Sequence, residues 1–516
     1  MTPLIEQEFG LITDLIHQHA VQAPQHLALV EGTHTLTWAA LDERMNRVAA
    51  ALQRDGLIAG DAIVICANTS LDYAVLFLGA LRAGVVVAPL APGGTPDSLA
   101  RMVSDCRARL LFLDSTAAQA LAATSLAPAG IPRVAMNDSA PGPSLEVWLA
   151  PAGQQPAPVQ LKPDAAFNII YSSGTTGEPK GIVQPHSMRW AHVRRGRTYG
   201  YGRRTVTLLS TPLYSNTTLV VFFPTLAFGG TVVLMPRFDA GVYLKLAQDL
   251  RVTHTMLVPV QYQRLMARPD FGAHDLSAFH MKFSTSAPFS KAVKADVLQR
   301  WPGGLVEFYG MTEGGGTCIL EAHLHPDKLH TVGRPAEGHD IRLIDDDGRE
   351  LHPGQTGEVV GHSPGMMTGY YGRPEQTRGA EWFAPDGKRF IRTGDVGRFD
   401  ANGFLTLLDR KKDMIISGGF NIYPSDLEDV LRGHPAVADV AVVGLPSEQW
   451  GETPAAFVVV RQGQTAQAGE LQEWANQRVG KTQRLSALHL VDDLPRSPIG
   501  KVLKRELRER LAPSSS

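Results

Sequence analysis

Cysteine is scarce: Cys66, Cys106 and Cys318 are the only three in 516 residues, and no CxxC pair occurs. Neither a disulfide framework nor a cysteine zinc site is therefore expected, and a reducing cytoplasm suits the chain. Excess charge of one sign is also missing, since 49 Lys and Arg stand against 51 Asp and Glu, a net of −2. The dense basic runs at 194–204, 410–412 and 501–510 are short and separate, so a nucleic-acid partner is not expected. No uninterrupted apolar run reaches about 18 residues, and Met1-Thr2-Pro3-Leu4-Ile5-Glu6-Gln7-Glu8 lacks a positive region ahead of an apolar one. Export and stable membrane insertion are accordingly not expected. Internal repeats are absent, and the chain is too long for a single core of about 250–300 residues.

What is present reads as α/β. A helical pattern over 37–52 alternates with apolar strands over 62–67 and 84–90, and 124–163 turns rich in Pro, Ala, Gly and Gln, as an irregular connection would. The alternation resumes with strands over 167–171, 206–210, 231–234 and 255–258 and helices over 217–227 and 240–250, which implies a largely parallel sheet. Short apolar runs broken by Asp-Gly, Pro-Gly and Asn-Gly turns between 331 and 408 predict hairpins of a small β unit. Beyond it, Ser425 and Glu428 match a capping box opening a helix, and strands over 437–443 and 455–461 complete a small α+β region.

The run Tyr171-Ser172-Ser173-Gly174-Thr175-Thr176-Gly177-Glu178-Pro179-Lys180-Gly181 follows an apolar strand and combines three glycines, four aliphatic hydroxyls and a lysine. Glycines let backbone N–H groups approach an anion, hydroxyls donate to phosphate oxygens and the lysine adds charge. The spacing fails GxxxxGK[ST], so a P-loop is not supported. Read alone, Glu313 before Gly314-Gly315-Gly316 is equally a solvated loop acid, Asp395 a turn residue beside Gly394, and Lys501 a solvated lysine ahead of the amphipathic stretch 502–511. His323, His325 and His330 have no ligand-like spacing, and no transition metal is expected there.

Taken in order, the run at 171–181, Tyr309-Gly310-Met311-Thr312-Glu313, Arg392-Thr393-Gly394-Asp395, Asp409-Arg410-Lys411-Lys412-Asp413 and Arg496-Ser497-Pro498-Ile499-Gly500-Lys501 resemble the motifs of the adenylate-forming superfamily of acyl- and aryl-CoA synthetases, luciferases and peptide-synthetase adenylation domains. The resemblance implies a large N-terminal domain over 1–409 with parallel-type sheets, helices and a small β unit, a hinge at 410–412, and a small mobile α+β C-terminal domain over 413–516. It implies ATP and CoA as co-substrates with Mg²⁺ held by Glu313, and it leaves a homodimer open. Lys501, Thr176, Lys180, Glu313 and Thr312 become the catalytic candidates. Nucleotide contacts fall to Ser172, Ser173, Gly174, Thr175 and Gly177, to Ser286, Ala287 and Pro288, to Glu307, Phe308, Tyr309, Gly310 and Met311, and to Asp395 and Arg410. Lys412 is the hinge candidate, and Ser417, Gly418, Gly419 and Phe420 would line a CoA passage, with a plain tight turn as the alternative.

By the same resemblance Tyr214, Ser215, Asn216, Thr285, Gly314 and Gly315 would wall the acyl pocket. Neither histidine nor carboxylate occurs over 211–220, and a dry pocket would leave an amino acid's ammonium uncompensated, so amino-acid activation is disfavoured. Expected is an AMP-forming ligase that joins a carboxylic acid, aromatic or hydroxycinnamate-like by preference, to CoA. A medium- or long-chain fatty acid, or an amine or carrier-protein acceptor, is the alternative; free CoA is preferred because no carrier domain follows 511.

Overall fold

The computed structural model describes residues 3–172, 179–417, 420–497 and 500–511, with the backbone alone at Ser172, Asn421 and Thr482. The chain groups into two compact units, one of Met1–Leu329, Pro335–Asp340 and Gly361–Ile391, the other of His330–Arg334, Ile341–Val360 and Arg392–Ser516.

The first unit is α/β, as the alternation predicts. One sheet orders Gly369–Tyr370, Lys180–Pro185, Ala166–Ser172, Val86–Leu90, Ala62–Cys66, Leu110–Leu113 and Arg133–Ala135. Its central strands pair in parallel. The other orders Thr317–Glu321, Gly304–Gly310, Met281–Ser284, His254–Leu257, Val206–Leu209, Thr231–Leu234, Leu27–Glu31 and His34–Thr37. Every residue of Ala62–Cys66 and Val86–Leu90 is buried, as strands covered on both faces require. Helix Trp38–Arg54 begins where Thr37 Oγ1 accepts from Ala40 N at 3.3 Å and buries Trp38, Leu41, Met45, Val48 and Leu52 along one stripe. It meets helix Leu71–Arg82 at Gly79, where an added Cβ would stand 2.4 Å from Val48 Cβ; only glycine allows that approach.

Three strands carry the candidate chemistry at their carboxyl ends: Ala166–Ser172, Met281–Ser284 and Gly304–Gly310. The last two lie side by side in parallel with Ser284 opposite Glu307, so the segments leaving them emerge together, where open parallel sheets take their ligands. Residues 124–163 are more ordered than their composition suggests. Arg133–Ala135 joins the sheet beside Leu110–Leu113, and helix Leu145–Trp148, capped by Ser144, sets Trp148 edge-on to Phe112 at 5.0 Å.

In the second unit, Arg389–Phe399 runs into an antiparallel pairing with Leu405–Arg410 that sets Asp395 opposite Arg410. A further sheet orders Phe420–Ile422, Ile415–Ser417, Gly451–Val460 and Val437–Ser447, with Ala487–Leu490 parallel to Gly451–Val460. Residues 392–409 group with this unit, where Ser425 N donates to Asp409 Oδ2 at 3.1 Å and Ser425 Oγ donates to the Leu408 carbonyl. The expected capping box does not form. Helix Pro424–Arg432 starts one residue before Ser425, with Tyr423 at its N-cap, and Glu428 is a buried ion-pair partner of Lys504 at 2.9 Å and Arg432 at 3.2 Å. Among the described residues no helix is long and apolar enough to cross a membrane.

Candidate active site

The hydroxyl- and glycine-rich run joins strands Ala166–Ser172 and Lys180–Pro185, which pair antiparallel with Ser172 opposite Lys180. The chain beyond the lysine is thus a strand and not a helix, so the arrangement differs from a P-loop in topology as well as spacing. Ser173, Gly174, Thr175, Thr176 and Gly177 lie outside the described residues, as does the side chain of Ser172.

Lys180 Nζ stands 5.5 Å from the centre of the Tyr370 ring, and Tyr370 Oη donates to Glu313 Oε1 at 2.9 Å. Tyr370 comes from Gly369–Tyr370, an edge strand that pairs antiparallel with Lys180–Pro185. One aromatic side chain thereby brings together the lysine of the first motif and the carboxylate of the second. Burial, reinforced by the Glu313 charge and the hydrogen bond, pushes the Tyr370 phenol up, so it stays a donor at neutral pH. The Glu313 backbone is fixed as well, its carbonyl accepting from Met367 N at 2.8 Å. Sequence reasoning missed Tyr370; the available signal was the aromatic pair Tyr370-Tyr371 between Gly369 and Gly372.

Thr312 is half-buried, and its carbonyl accepts from Gln184 Nε2 at 2.7 Å. The same Nε2 lies 3.4 Å from Asn216 Oδ1 at the start of helix Asn216–Ala227. Ser215 is buried and caps that helix, its Oγ accepting from Thr217 N at 3.3 Å, and Tyr214 is half-buried beside it. Thr285 Oγ1 donates to the Phe308 carbonyl at 2.8 Å, tying the ends of the two parallel strands. Ser286 adopts φ +80°, a left-handed conformation that a non-glycine residue takes at a cost, and its Oγ lies 2.5 Å from Thr217 Oγ1. Ala287 is half-buried and Pro288 exposed; Tyr309 is half-buried, followed by Gly310 at the strand end and Met311.

Four candidates serve packing. Glu307 is 4% exposed and pairs with the equally buried Lys294, which uses up its carboxylate inside the fold. Phe308 stacks on Phe283 with centroids 5.5 Å apart and meets Tyr199 edge-on at 5.8 Å. Gly314 and Gly315 are closely packed where a side chain would stand. A Cβ on Gly314 would stand 2.2 Å from the Gly365 carbonyl oxygen, and one on Gly315 would stand 2.6 Å from Ile391 Cβ, so protein atoms already fill both positions.

In the second unit, Arg410 Nε pairs with Asp395 Oδ1 at 3.1 Å, and Asp395 N donates to Thr393 Oγ1 at 3.0 Å. Lys412 is exposed. Ser417 and Phe420 are Cα partners, and Phe420 is exposed; Gly418 and Gly419 lie outside the described residues. Lys501, also exposed, follows a turn in which Gly500 N donates to the Ser497 carbonyl, Ser497 N to the Lys501 carbonyl, both at 2.8 Å, and Gly500 takes φ +76°. Arg496 clamps that turn, donating to the Gly500 carbonyl at 2.6 Å while paired with Asp439.

The donor set at Glu313 fits a magnesium ion. That ion usually takes one or two carboxylates together with substrate phosphates, and Tyr370 occupies only one Glu313 oxygen.

The model of the AMP-binding enzyme family matches residues 16–371, and that of the AMP-binding enzyme C-terminal domain matches residues 426–501. A fatty acid–[acyl-carrier-protein] ligase, ScoC, of Streptomyces coeruleorubidus is 33% identical over 502 residues, 95% of each chain. A feruloyl-CoA synthase of an Amycolatopsis species is 34% identical over 500 residues, 96% of this chain and 97% of the relative. The ATP-bound crystal structure of MatB from Rhodopseudomonas palustris superposes with a TM-score of 0.87 at 28% identity, covering 96% of this chain and 98% of the other.

Proposed function

The chain belongs to the AMP-binding enzyme family, and from that premise we propose that it activates an aromatic, hydroxycinnamate-like carboxylic acid with ATP and passes the acyl group to CoA. A carboxylate is a poor acyl donor because oxide would have to leave. An oxygen of the acid therefore attacks the α-phosphorus of ATP, the bond to pyrophosphate breaks, and an acyl adenylate results. The thiol sulfur of CoA then attacks the acyl carbon, the carbon–oxygen bond to AMP breaks, and the thiol proton passes to solvent.

No protein nucleophile is needed; the protein positions the acid and offsets charge on phosphorus and pyrophosphate. Lys180, Thr176 and Thr312 are assigned to the phosphates, Lys501 to adenylation, and Asp395, with two acceptor oxygens, to the ribose diol. Glu313, oriented by Tyr370, would hold magnesium, which when bound supplies positive charge beside the phosphates. Lys412 is assigned the hinge between the two steps, and Ser417 to Phe420 the pantetheine passage. The observation that supports this reading is the Lys180–Tyr370–Glu313 connection, which ties two motifs distant in sequence into one group.

A second reading, a fatty acid passed to a carrier protein, is favoured by the activity of the relative ScoC. Pyrophosphate release over a panel of aryl, hydroxycinnamic and aliphatic acids, each with and without CoA, separates the two. CoA-dependent turnover of aryl acids is expected. Turnover confined to aliphatic acids, or adenylate that CoA does not consume, would replace it with the second reading.

A further inference from the structure

Arg189 lies on helix His186–Arg195 and is 1% exposed, yet among the described residues no carboxylate pairs with it. Elsewhere Lys294 pairs with Glu307 and the half-buried Lys504 with Glu428, while the buried Lys282 Nζ donates only to the backbone carbonyls of Trp301, Pro302 and Gly303 at 2.6–3.2 Å. Arg189 instead meets three side-chain amides. It donates to Asn168 Oδ1 at 3.3 Å and 3.4 Å, to Gln184 Oε1, and to Asn216 Oδ1 at 2.8 Å. Its cation lies 5.7 Å and 5.9 Å from the rings of Phe167 and Phe223, and its Nη1 is buried without a partner. Burial pushes the guanidinium down to about 9, which leaves it charged at neutral pH. A buried charge of this kind is costly, and one met only by side-chain amides, whose orientation the backbone does not fix, calls for a reason beyond packing.

The reason lies in the direction of the hydrogen bonds. A guanidinium can only donate, so each amide facing it must present its carbonyl oxygen. Gln184 then has its Nε2 turned to the Thr312 carbonyl and to Asn216 Oδ1, as observed. Asn216 Oδ1 accepts from Arg189 and from Gln184, so its orientation is fixed twice, and its Nδ2 group has no acceptor among the described residues. Asn216 is half-exposed, whereas Asn168, Gln184 and Arg189 are buried.

We infer that Arg189 is a positioning residue which, through Gln184, locks Asn216 with its N–H donors toward the acyl group, and so sets the pocket to prefer acids bearing a hydrogen-bond-accepting oxygen over their unsubstituted parents. This rests on the assignment of Asn216 to the acyl pocket made above. The oxygen belongs to a ring hydroxyl or methoxy group, a chain carbonyl or a second carboxylate; all share the acceptor, and a methoxy group has no donor to confuse the reading.

The test compares kcat/KM, by pyrophosphate release with CoA, for para-methoxycinnamate against cinnamate, para-hydroxycinnamate against cinnamate, and a terminal dicarboxylate against the monocarboxylate of equal length. In the natural protein at least one oxygenated acid is expected to exceed its parent by about tenfold, carried by KM, as for one hydrogen bond to a fixed donor. Asn216→Asp removes the N–H donor while giving Arg189 a carboxylate, so a purely structural role predicts an unharmed protein with an unchanged ratio. The inference predicts a ratio near one or inverted, with no loss of thermal stability. Arg189→Met should lower the ratio as well, and if it fails to fold the Asn216→Asp result still decides. Turnover of the parents at or above the oxygenated acids, or a ratio surviving in Asn216→Asp, would overturn the inference alone. Absence of acid-dependent pyrophosphate release with every acid would overturn the functional reading, and the inference with it.

Discussion

Glu313 and Lys501, the two residues asked to act on the same phosphates, are held in opposite ways. Glu313 is half-buried in the turn that follows strand Gly304–Gly310, its carboxylate held by Tyr370 and its carbonyl by Met367. Lys501 is exposed at the end of a turn fixed through its backbone, by Ser497 and by the Arg496 clamp. A group needed throughout a reaction gains from a rigid side chain, because reorganisation is avoided at each step. A group needed in one step only gains instead from a turn whose backbone is pre-shaped, so that it can be brought up for that step. On the proposed reading Glu313 serves both half-reactions and Lys501 the first.

The strongest break of that contrast is Lys501→Ala. Acyl-adenylate formation should fall by about 10²–10³, the cost of losing one charge-stabilising group, while thioester formation from a supplied acyl adenylate is retained. Single-turnover assays of the two half-reactions read this directly, and equal loss in both would erase the distinction. Next in size is Lys412→Pro, which fixes φ near −65° at the proposed hinge. Overall turnover should drop by about tenfold or more while one half-reaction, measured alone, persists. Undiminished overall turnover would remove Lys412 from the hinge.

Tyr370→Phe sharpens the other side of the comparison. The ring over Lys180 remains, but the donor to Glu313 is lost, a hydrogen bond to a charged acceptor worth about 1.5–3 kcal/mol. Both half-reactions should slow by about tenfold, with a raised magnesium requirement in the first. A loss confined to adenylation would mean that Glu313, too, serves one step only.

Much of this was legible in the sequence, and the failures have physical causes. Strand–helix alternation announced the parallel sheets because buried strands and amphipathic helices differ in period, and the run at 171–181 follows a strand as expected. What surrounds Gly314 and Gly315 could not be read from the sequence because a glycine's meaning depends on what occupies its missing Cβ, here Gly365 and Ile391, distant in sequence. Ser425 and Glu428 have capping-box spacing, but that spacing also occurs within a helix, and tertiary partners Leu408 and Lys504 took both side chains. Arg189 lies ahead of the basic run at 194–204, and nothing in its sequence neighbourhood marks it as buried.

The smallest expected effect probes the turn itself. Gly500 holds φ +76°, a conformation that costs a residue with a Cβ about 1–2 kcal/mol, and Arg496 reaches its carbonyl. Gly500→Ala should leave the Lys501 side chain in place chemically while shifting the turn that aims it. Adenylation should fall a few-fold, and thioester formation from supplied adenylate should hold. If Gly500→Ala matched Lys501→Ala in depth, the turn would be a rigid mount like the one around Glu313. If it had no effect on adenylation, the lysine's reach alone would suffice and the Arg496 clamp would serve only the fold.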